Sequence, residues 1–247
     1  MPQYAFGSGT LIGLRTDIAN ATPSQFGVLQ DVQIDLDSSL KPLMGQNQFP
    51  VAVARADMKI TGKIKSAKIV ASVFNDLFFG QTSTTGGILQ AVNEAGSVPA
   101  VSTYTITAVN AATFASDLGV YYANTGFPFK KVASGPTVGQ YSVNSTTGIY
   151  TFAVADASAA VLLSYTYTAS TGATKITIAN QLQGAAPTFQ MNLTETYNSK
   201  VMNFQLNQCI ANKLSFPLKN SDWMVNNIEF QAFADAAGNV GSMTTSE

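Results

Sequence analysis

Residues 30–80 read QDVQIDLDSSLKPLMGQNQFPVAVARADMKITGKIKSAKIVASVFNDLFFG, and this stretch decides the fold. In its first part Val32, Ile34 and Leu36 alternate with Gln33, Asp35 and Asp37. Further on, Ala54, Ala56, Met58, Ile60 and Ile64 alternate with Arg55, Asp57, Lys59, Thr61, Lys63 and Lys65. A period of two describes strands with one dry and one wet face. The period then changes: Val70, Val73, Phe74, Leu77 and Phe78 form one stripe of a helix. Ser66 is placed to cap that helix and Gly80 to end it. The unit is therefore a two-stranded ribbon with a helix beside it, and the wet face of the ribbon is the place to look for function.

The connection Ser38–Val53 is far longer than the two to about five residues of an ordinary hairpin turn. It carries Leu40, Leu43, Met44 and Phe49, all exposed unless something covers them. Apolar side chains on a projecting loop mark a docking element for a neighbour; the alternative is a loop folded back on its own sheet.

Outward from this stretch, residues 1–27 form a Gly- and Pro-bearing arm with a short strand at Leu11–Leu14. Gly7-Ser8-Gly9 lacks the Lys-Ser/Thr of a phosphate loop. After the helix, Gly80–Gly87 is a linker rich in Thr, Ser and Gly, and Ile88–Glu94 a strand. From Thr103 the texture becomes that of short strands with turn signals between them, at Asn124-Thr125-Gly126, Ser134-Gly135-Pro136, Thr147-Gly148 and Thr171-Gly172. Such spacing predicts a compact all-β module. The last third returns to longer strands: Lys175–Asn180, then a hairpin of Phe189–Thr194 with Met202–Leu206 turning near Asn198-Ser199, then a closing strand around Ile228, Phe230 and Ala232. The expected organisation is a discontinuous domain, 1–95 with 173–247, interrupted by an all-β insertion at 96–172, since insertions are tolerated at surface loops.

Composition limits the function. Charged residues are 11% of the 247 and the net charge is −1, against about 25% charged in typical soluble domains. Neither bulk nucleic-acid affinity nor attraction to an anionic membrane is implied. A weakly charged surface rich in amides and hydroxyls repels copies of itself poorly, which favours self-association. There is no histidine, the commonest acid–base residue. The lone cysteine, Cys209, sits in a strand-like run and is read as core. Asp35 and Asp37 could form an acid–base pair or a Ca²⁺ site, but lysines on the facing strand make cross-strand ion pairs the simpler account. Asp235–Asn239 is read as a turn. No catalytic, metal or cofactor site is expected. No run approaches the ~18 apolar residues of a membrane span, and no secretory signal is recognised at the N-terminus.

With these residues in view, Phe26-Gly-Val-Leu-Gln-Asp-Val-Gln-Ile-Asp35, Gly45-Gln-Asn-Gln-Phe-Pro-Val-Ala-Val-Ala-Arg55, Ile60-Thr-Gly-Lys63, Phe74-Asn-Asp-Leu-Phe-Phe-Gly80 and Phe230-Gln-Ala-Phe-Ala-Asp-Ala-Ala-Gly238 resemble the tail tube proteins of tailed bacteriophages. Gly139-Gln-Tyr141, Gly148–Phe152 and Ala160–Tyr167 resemble a β module found in phage virion proteins. The resemblance implies a mainly β fold, a tail-tube-type β-sandwich or barrel with one flanking helix and a long ribbon. It implies hexameric rings stacked into a tube that passes genome and tape-measure protein, with sheath, baseplate and terminator proteins as further partners. It implies a place in the virion tail after synthesis in the host cytoplasm. In this picture Gln33, Asp35, Asp37, Lys59, Thr61, Lys63, Gln190, Asn192, Asn203 and Gln205 face the lumen. Leu40, Leu43, Met44 and Phe49 contact the next ring, and the insertion decorates the exterior. The alternative is a capsid-decoration or host-surface-binding module that works through the inserted domain.

Overall fold

The computed structural model describes residues 4–68 and 70–246. The start of the expected arm, Met1–Gln3, and the last residue, Glu247, lie outside them. In chain order the strands are β1 (Thr10–Arg15), β2 (Ser24–Gln25), β3 (Leu29–Met44) and β4 (Pro50–Ser66). A short helix α1 (Ala71–Phe74) follows and runs into a π-turn, Asn75–Phe79. Then come β5 (Thr84–Ser97), β6 (Thr105–Thr107), β7 (Phe114–Tyr122), β8 (Lys130–Lys131), β9 (Gln140–Asn144), β10 (Ile149–Phe152) and β11 (Ala160–Lys175). The chain ends with β12 (Phe189–Tyr197), β13 (Lys200–Ser215), β14 (Asn226–Phe233) and β15 (Gly241–Thr245). The fold is mainly β, as the alternation predicts.

Two units are present, residues 1–83 with 176–247, and Thr84–Lys175. The expected borders, 95/96 and 172/173, therefore move to 83/84 and 175/176. The cause is β5. Its Thr- and Gly-rich start reads as linker, and Ile88–Glu94 as a strand of the first domain. In the structure one long strand pairs antiparallel with β11, from Thr84↔Lys175 to Ser97↔Ala160. Both ends of the insertion thus lie side by side on one stem. Beyond Lys175 the expected strand to Asn180 does not form, and Ile178 is exposed.

The first unit is one antiparallel sheet in the order β2-β1-β12-β13-β14-β4-β3, with β15 on β13 beside the end of β14. Its dry face holds Leu11, Phe189, Met191, Leu206, Cys209, Ile228, Phe230 and Ile64. The helical segment covers them with Val73, Phe74 and Leu77, three of the residues in the apolar stripe. Each large side chain so buried contributes about 1.5–3 kcal/mol. Gly80 ends the segment at φ 61°, its N–H donating to the Asn75 carbonyl at 2.6 Å. Ser66 does not cap the helix. It is the last residue of β4, and its hydroxyl donates to the Gly27 carbonyl at 2.7 Å; Val70 precedes the helix in extended conformation with no side-chain cap. Gly62 is required by packing, because a Cβ there would lie 2.0 Å from the Phe230 ring on the neighbouring strand. The arm before β1 ties the edge strand β3 to β12: Ser8 Oγ donates to the Leu29 carbonyl at 3.0 Å, and the Phe6 N–H to Glu195 Oε1 at 3.2 Å. Asn198 and Ser199 both adopt positive φ, which closes the β12–β13 hairpin in two residues.

The second unit pairs a three-stranded sheet, β5-β11-β7, with a four-stranded one, β6-β10-β9-β8. They share a core that includes Val98, Val120, Tyr150, Phe152, Leu163 and Tyr165. Its buried tyrosines are anchored on carboxylates. Asp117 accepts the hydroxyls of Tyr141 (2.8 Å) and Tyr150 (3.2 Å) and pairs with Lys131 (2.9 Å). Asp156 accepts the Tyr122 hydroxyl at 2.8 Å and the Gly139 N–H at 2.9 Å. Tyr165 donates to Glu94. Burial, reinforced by these acidic neighbours, raises the pKa of Tyr141 and Tyr150 above the usual phenol range and pushes Tyr122 up to about 12.

Candidate functional site

The register of the first sheet places the polar side chains in rows. Asp31, Lys65, Asn227 and Ser215 lie across β3, β4, β14 and β13. The next row is Gln33, Lys63, Glu229 and Lys213, and the next Asp35, Thr61, Gln231 and Ile210. Asp37 and Lys59 follow on the ribbon alone. The same face continues on β12 and β13, where Asn192 pairs with Gln205 and Thr194 with Asn203, and Gln190 lies two residues along from Asn192. All ten residues expected on the polar face, Gln33, Asp35, Asp37, Lys59, Thr61, Lys63, Gln190, Asn192, Asn203 and Gln205, thus come together on one side of one sheet.

Charge in the four rows balances. Asp31, Asp35, Asp37 and Glu229 stand among Lys59, Lys63, Lys65 and Lys213. Lys65 pairs with Asp31 at 2.9 Å and Lys213 with Glu229 at 3.2 Å. Gln33 donates to both oxygens of Asp35 at 2.9 and 3.0 Å, and Thr194 to Asn203 at 3.0 Å. These exposed pairs stabilise the fold little; their effect is to leave a face with no field of one sign.

The alternation of Gln190, Asn192 and Thr194 in the sequence puts Thr194 on this face too. Lys213 joins it with no such signal, because a register shift between Ala211 and Lys213 changes the parity of β13. Ile210 and Phe233 are apolar members of the same face, also unforeseen.

The expected long loop does not exist as a loop. β3 and β4 run on as a paired ribbon and turn only at Gly45–Phe49. The strict alternation fades after Asp37, so the sequence hides the continuation. Beyond Ser38 every residue of the ribbon is exposed on both faces up to Lys59. Leu40, Leu43 and Met44 are therefore strand residues and Phe49 a turn residue, at 63, 65, 56 and 82% exposure. Val51, Val53 and Met58 join them as exposed apolar side chains. A second correction concerns Arg55. A bulge lies between the pairs Ser38↔Met58 and Leu40↔Arg55. It shifts Arg55 off the polar face onto the side of Leu40 and Met58, where its guanidinium reaches Met58 Sδ at 3.7 Å.

Among the described residues no group of three or more acidic or cysteine side chains gathers to hold a metal. Asp35 and Asp37 lie on a strand face open to solvent, with Thr61 and Lys59 opposite. Asp235 closes a turn, accepting the N–H groups of Ala237 and Asn239 at 2.9 Å. These bonds, with the Asn207 amide, hold its pKa below the usual carboxylate value. Cys209 is fully buried, and burial pushes its thiol up to about 12. Among the described residues no helix is long and apolar enough to cross a membrane. Compared with protein-family models and with curated proteins, the chain matches none.

Proposed function

We propose that the chain is a structural subunit of a phage-type tail tube, assembling as rings whose polar sheet faces line a passage. The observation that carries this reading is the joining of two features on one ribbon. Residues 31–37 and 59–65 belong to a charge-balanced polar face, and residues 38–58 project beyond the sheet with apolar side chains bare on both sides.

A passage for nucleic acid works by letting phosphates slide. Each Lys or Arg contact with phosphate adds affinity, so lysines set beside acids suit a wall better than lysines alone. Ring closure has the strand edges it needs. Among the described residues, β3 has β4 on one side and no partner on the other, and β13 from Ile210 to Ser215 has β14 only. Adding the β3 edge of one copy to the β13 edge of the next is a heterologous contact, the kind that generates rings. Acidic side chains on β3 would then lie beside Lys213. Six copies per ring and passage of a tape-measure protein come from the family resemblance.

Negative-stain microscopy of the purified full-length chain tests the reading. Rings or hollow tubes are expected. Discrete monomers or trimers that bind glycans through the second unit would refute it and favour a decoration or adhesion module. That second reading draws on the insertion's own core and closed stem.

A further inference from the structure

The first unit has a cleft of about 430 Å³ between the N-terminal arm, the start of β3 and the β12–β13 pair. Ala5, Val32, Leu193 and Met202 give it an apolar lining, and Asp31 and Glu195 supply two carboxylates. The acids are not alike. Asp31 is exposed and already paired with Lys65. Glu195 is 8% exposed; its Oε1 accepts one backbone N–H, and among the described residues no cation lies within ion-pair distance of it. A buried carboxylate without a counter-charge is costly, so the cleft is built to receive a cation carried on an apolar surface.

The chain has one such surface. On the projecting ribbon Arg55 lies on the same side as Leu40, Val53 and Met58, all more than half exposed. Among the described residues its only side-chain hydrogen bond goes to a thioether and no carboxylate pairs with it. A guanidinium suits a carboxylate better than an ammonium does, because two parallel N–H groups can engage both oxygens. The ribbon cannot reach its own cleft: Leu40, opposite Arg55, is eight residues along β3 from Val32, or about 26 Å of strand.

We propose that this cleft is the seat of a second copy's ribbon, with Arg55 of that copy closing on Glu195. The proposal rests on the tube reading and names the surface that the projecting arm grips. It also assigns the charged contact of the arm: Arg55 meets a carboxylate, and Lys41, opposite Ala54 on the other side, does not.

The experiment uses the full-length chain and four variants, with assembly followed by sedimentation and negative stain. Arg55→Glu raises the concentration needed for assembly about 30-fold or more, as expected for a buried charge pair at an interface, while Lys41→Glu assembles near the wild-type concentration. Since Arg55 is exposed on the arm, its variant folds, and circular dichroism verifies this. Glu195→Arg combined with Arg55→Glu recovers assembly lost in the Arg55 variant. A covalent check uses Val53→Cys with Met202→Cys. Met202 pairs directly with Glu195 across β12–β13, and the native Cys209 is buried, so mild oxidation yields a ladder of linked copies. Tubes that form normally from Arg55→Glu, or loss of assembly in Lys41→Glu alone, overturn the contact and leave the tube reading standing. A wild-type chain that stays monomeric overturns the tube reading and the contact with it.

Discussion

Replacing Leu40, Leu43 and Phe49 together by serine separates folding from assembly. In the isolated subunit these side chains are 63, 65 and 82% exposed, so they contribute little to its stability. Docking would remove the equivalent of about two whole apolar side chains from water, each worth about 1.5–3 kcal/mol. The triple variant therefore loses about 3–6 kcal/mol per arm at the contact, or roughly 10²- to 10⁴-fold in association constant. Folding is a different matter. The ribbon beyond Ser38 packs on no core residue, and serine keeps every backbone bond of the β3–β4 ladder. The melting temperature should stay within about 2 °C of wild type. The assay pairs a thermal melt with sedimentation velocity over a concentration series, followed by negative stain of the fast-sedimenting material. The expected outcome is a folded chain that remains small where wild type forms rings or tubes. If the variant assembles at the wild-type concentration, the arm is not a docking element. If instead it unfolds, the exposed ribbon supports the core in a way its burial denies.

Other outcomes are cheaper to obtain. Gly62→Ala forces a Cβ into the Phe230 ring and costs about 1–3 kcal/mol by overpacking, a fall of at least a few degrees in melting temperature; an unchanged melt would refute the packing. Cys209 should resist a thiol reagent at pH 8 in the folded chain and react fully on unfolding, because it is buried with its thiol pushed up to about 12. The second unit should lose stability in alkali. The phenols of Tyr122, Tyr141 and Tyr150 have folded pKa values above the ordinary 10; the folded state holds protons that the unfolded state releases, so their contribution is complete below pH 10 and falls as pH rises above it. Spectroscopic tyrosine titration with a parallel melt checks this, and a unit equally stable well above pH 10 would contradict it. Finally, neutralising Asp31, Asp35, Asp37 and Glu229 as amides leaves Lys59, Lys63, Lys65 and Lys213 uncompensated. Assembled wild type should retain no duplex DNA at physiological salt, whereas the variant should bind it with a steep salt dependence read by filter binding.

What could be read from the sequence follows the strength of local periodicity. The strand carrying Phe189–Leu193 and the helical stripe through Val73, Phe74 and Leu77 pack against one core, so burial and pattern agree; on β3 the alternation of Val32, Ile34 and Leu36 holds with partial burial alone, and Leu36 is 57% exposed. The ten polar-face residues follow from that alternation, because the side opposite a buried side is fixed. The failures lie where something other than burial shapes the strand. β5 begins Thr-Thr-Gly-Gly, which looks like a linker; its strand character comes from β11, a partner distant in sequence. The ribbon beyond Ser38 is bare on both faces, so no alternation marks it. Bulges at Ser38/Leu40 and Ala211/Lys213 change parity without any residue announcing them. Ser66 has the chemistry of a cap, but Gly27 takes its hydroxyl first.

The two surfaces proposed for the ribbon make opposite demands on one pair of strands. Where β4 joins the sheet, one side is closed by the core through Ile60 and Ile64, and the other side of the ribbon carries lysines beside acids, an arrangement that would tolerate passing phosphate. Past Ser38 the core ends, and continued charge balance would give a solvated hairpin with no reason to hold a partner. The sequence instead turns apolar on both sides and retains Arg55, which the bulge moves away from the polar face. A ribbon meant to stay in solvent would be a liability, since bare strand edges and apolar side chains invite aggregation, and proteins usually blunt them with charge or proline. Pro42 and Lys41 blunt this arm only slightly. Its exposure makes physical sense if a neighbour covers it, and the low overall charge leaves little repulsion to keep that neighbour away.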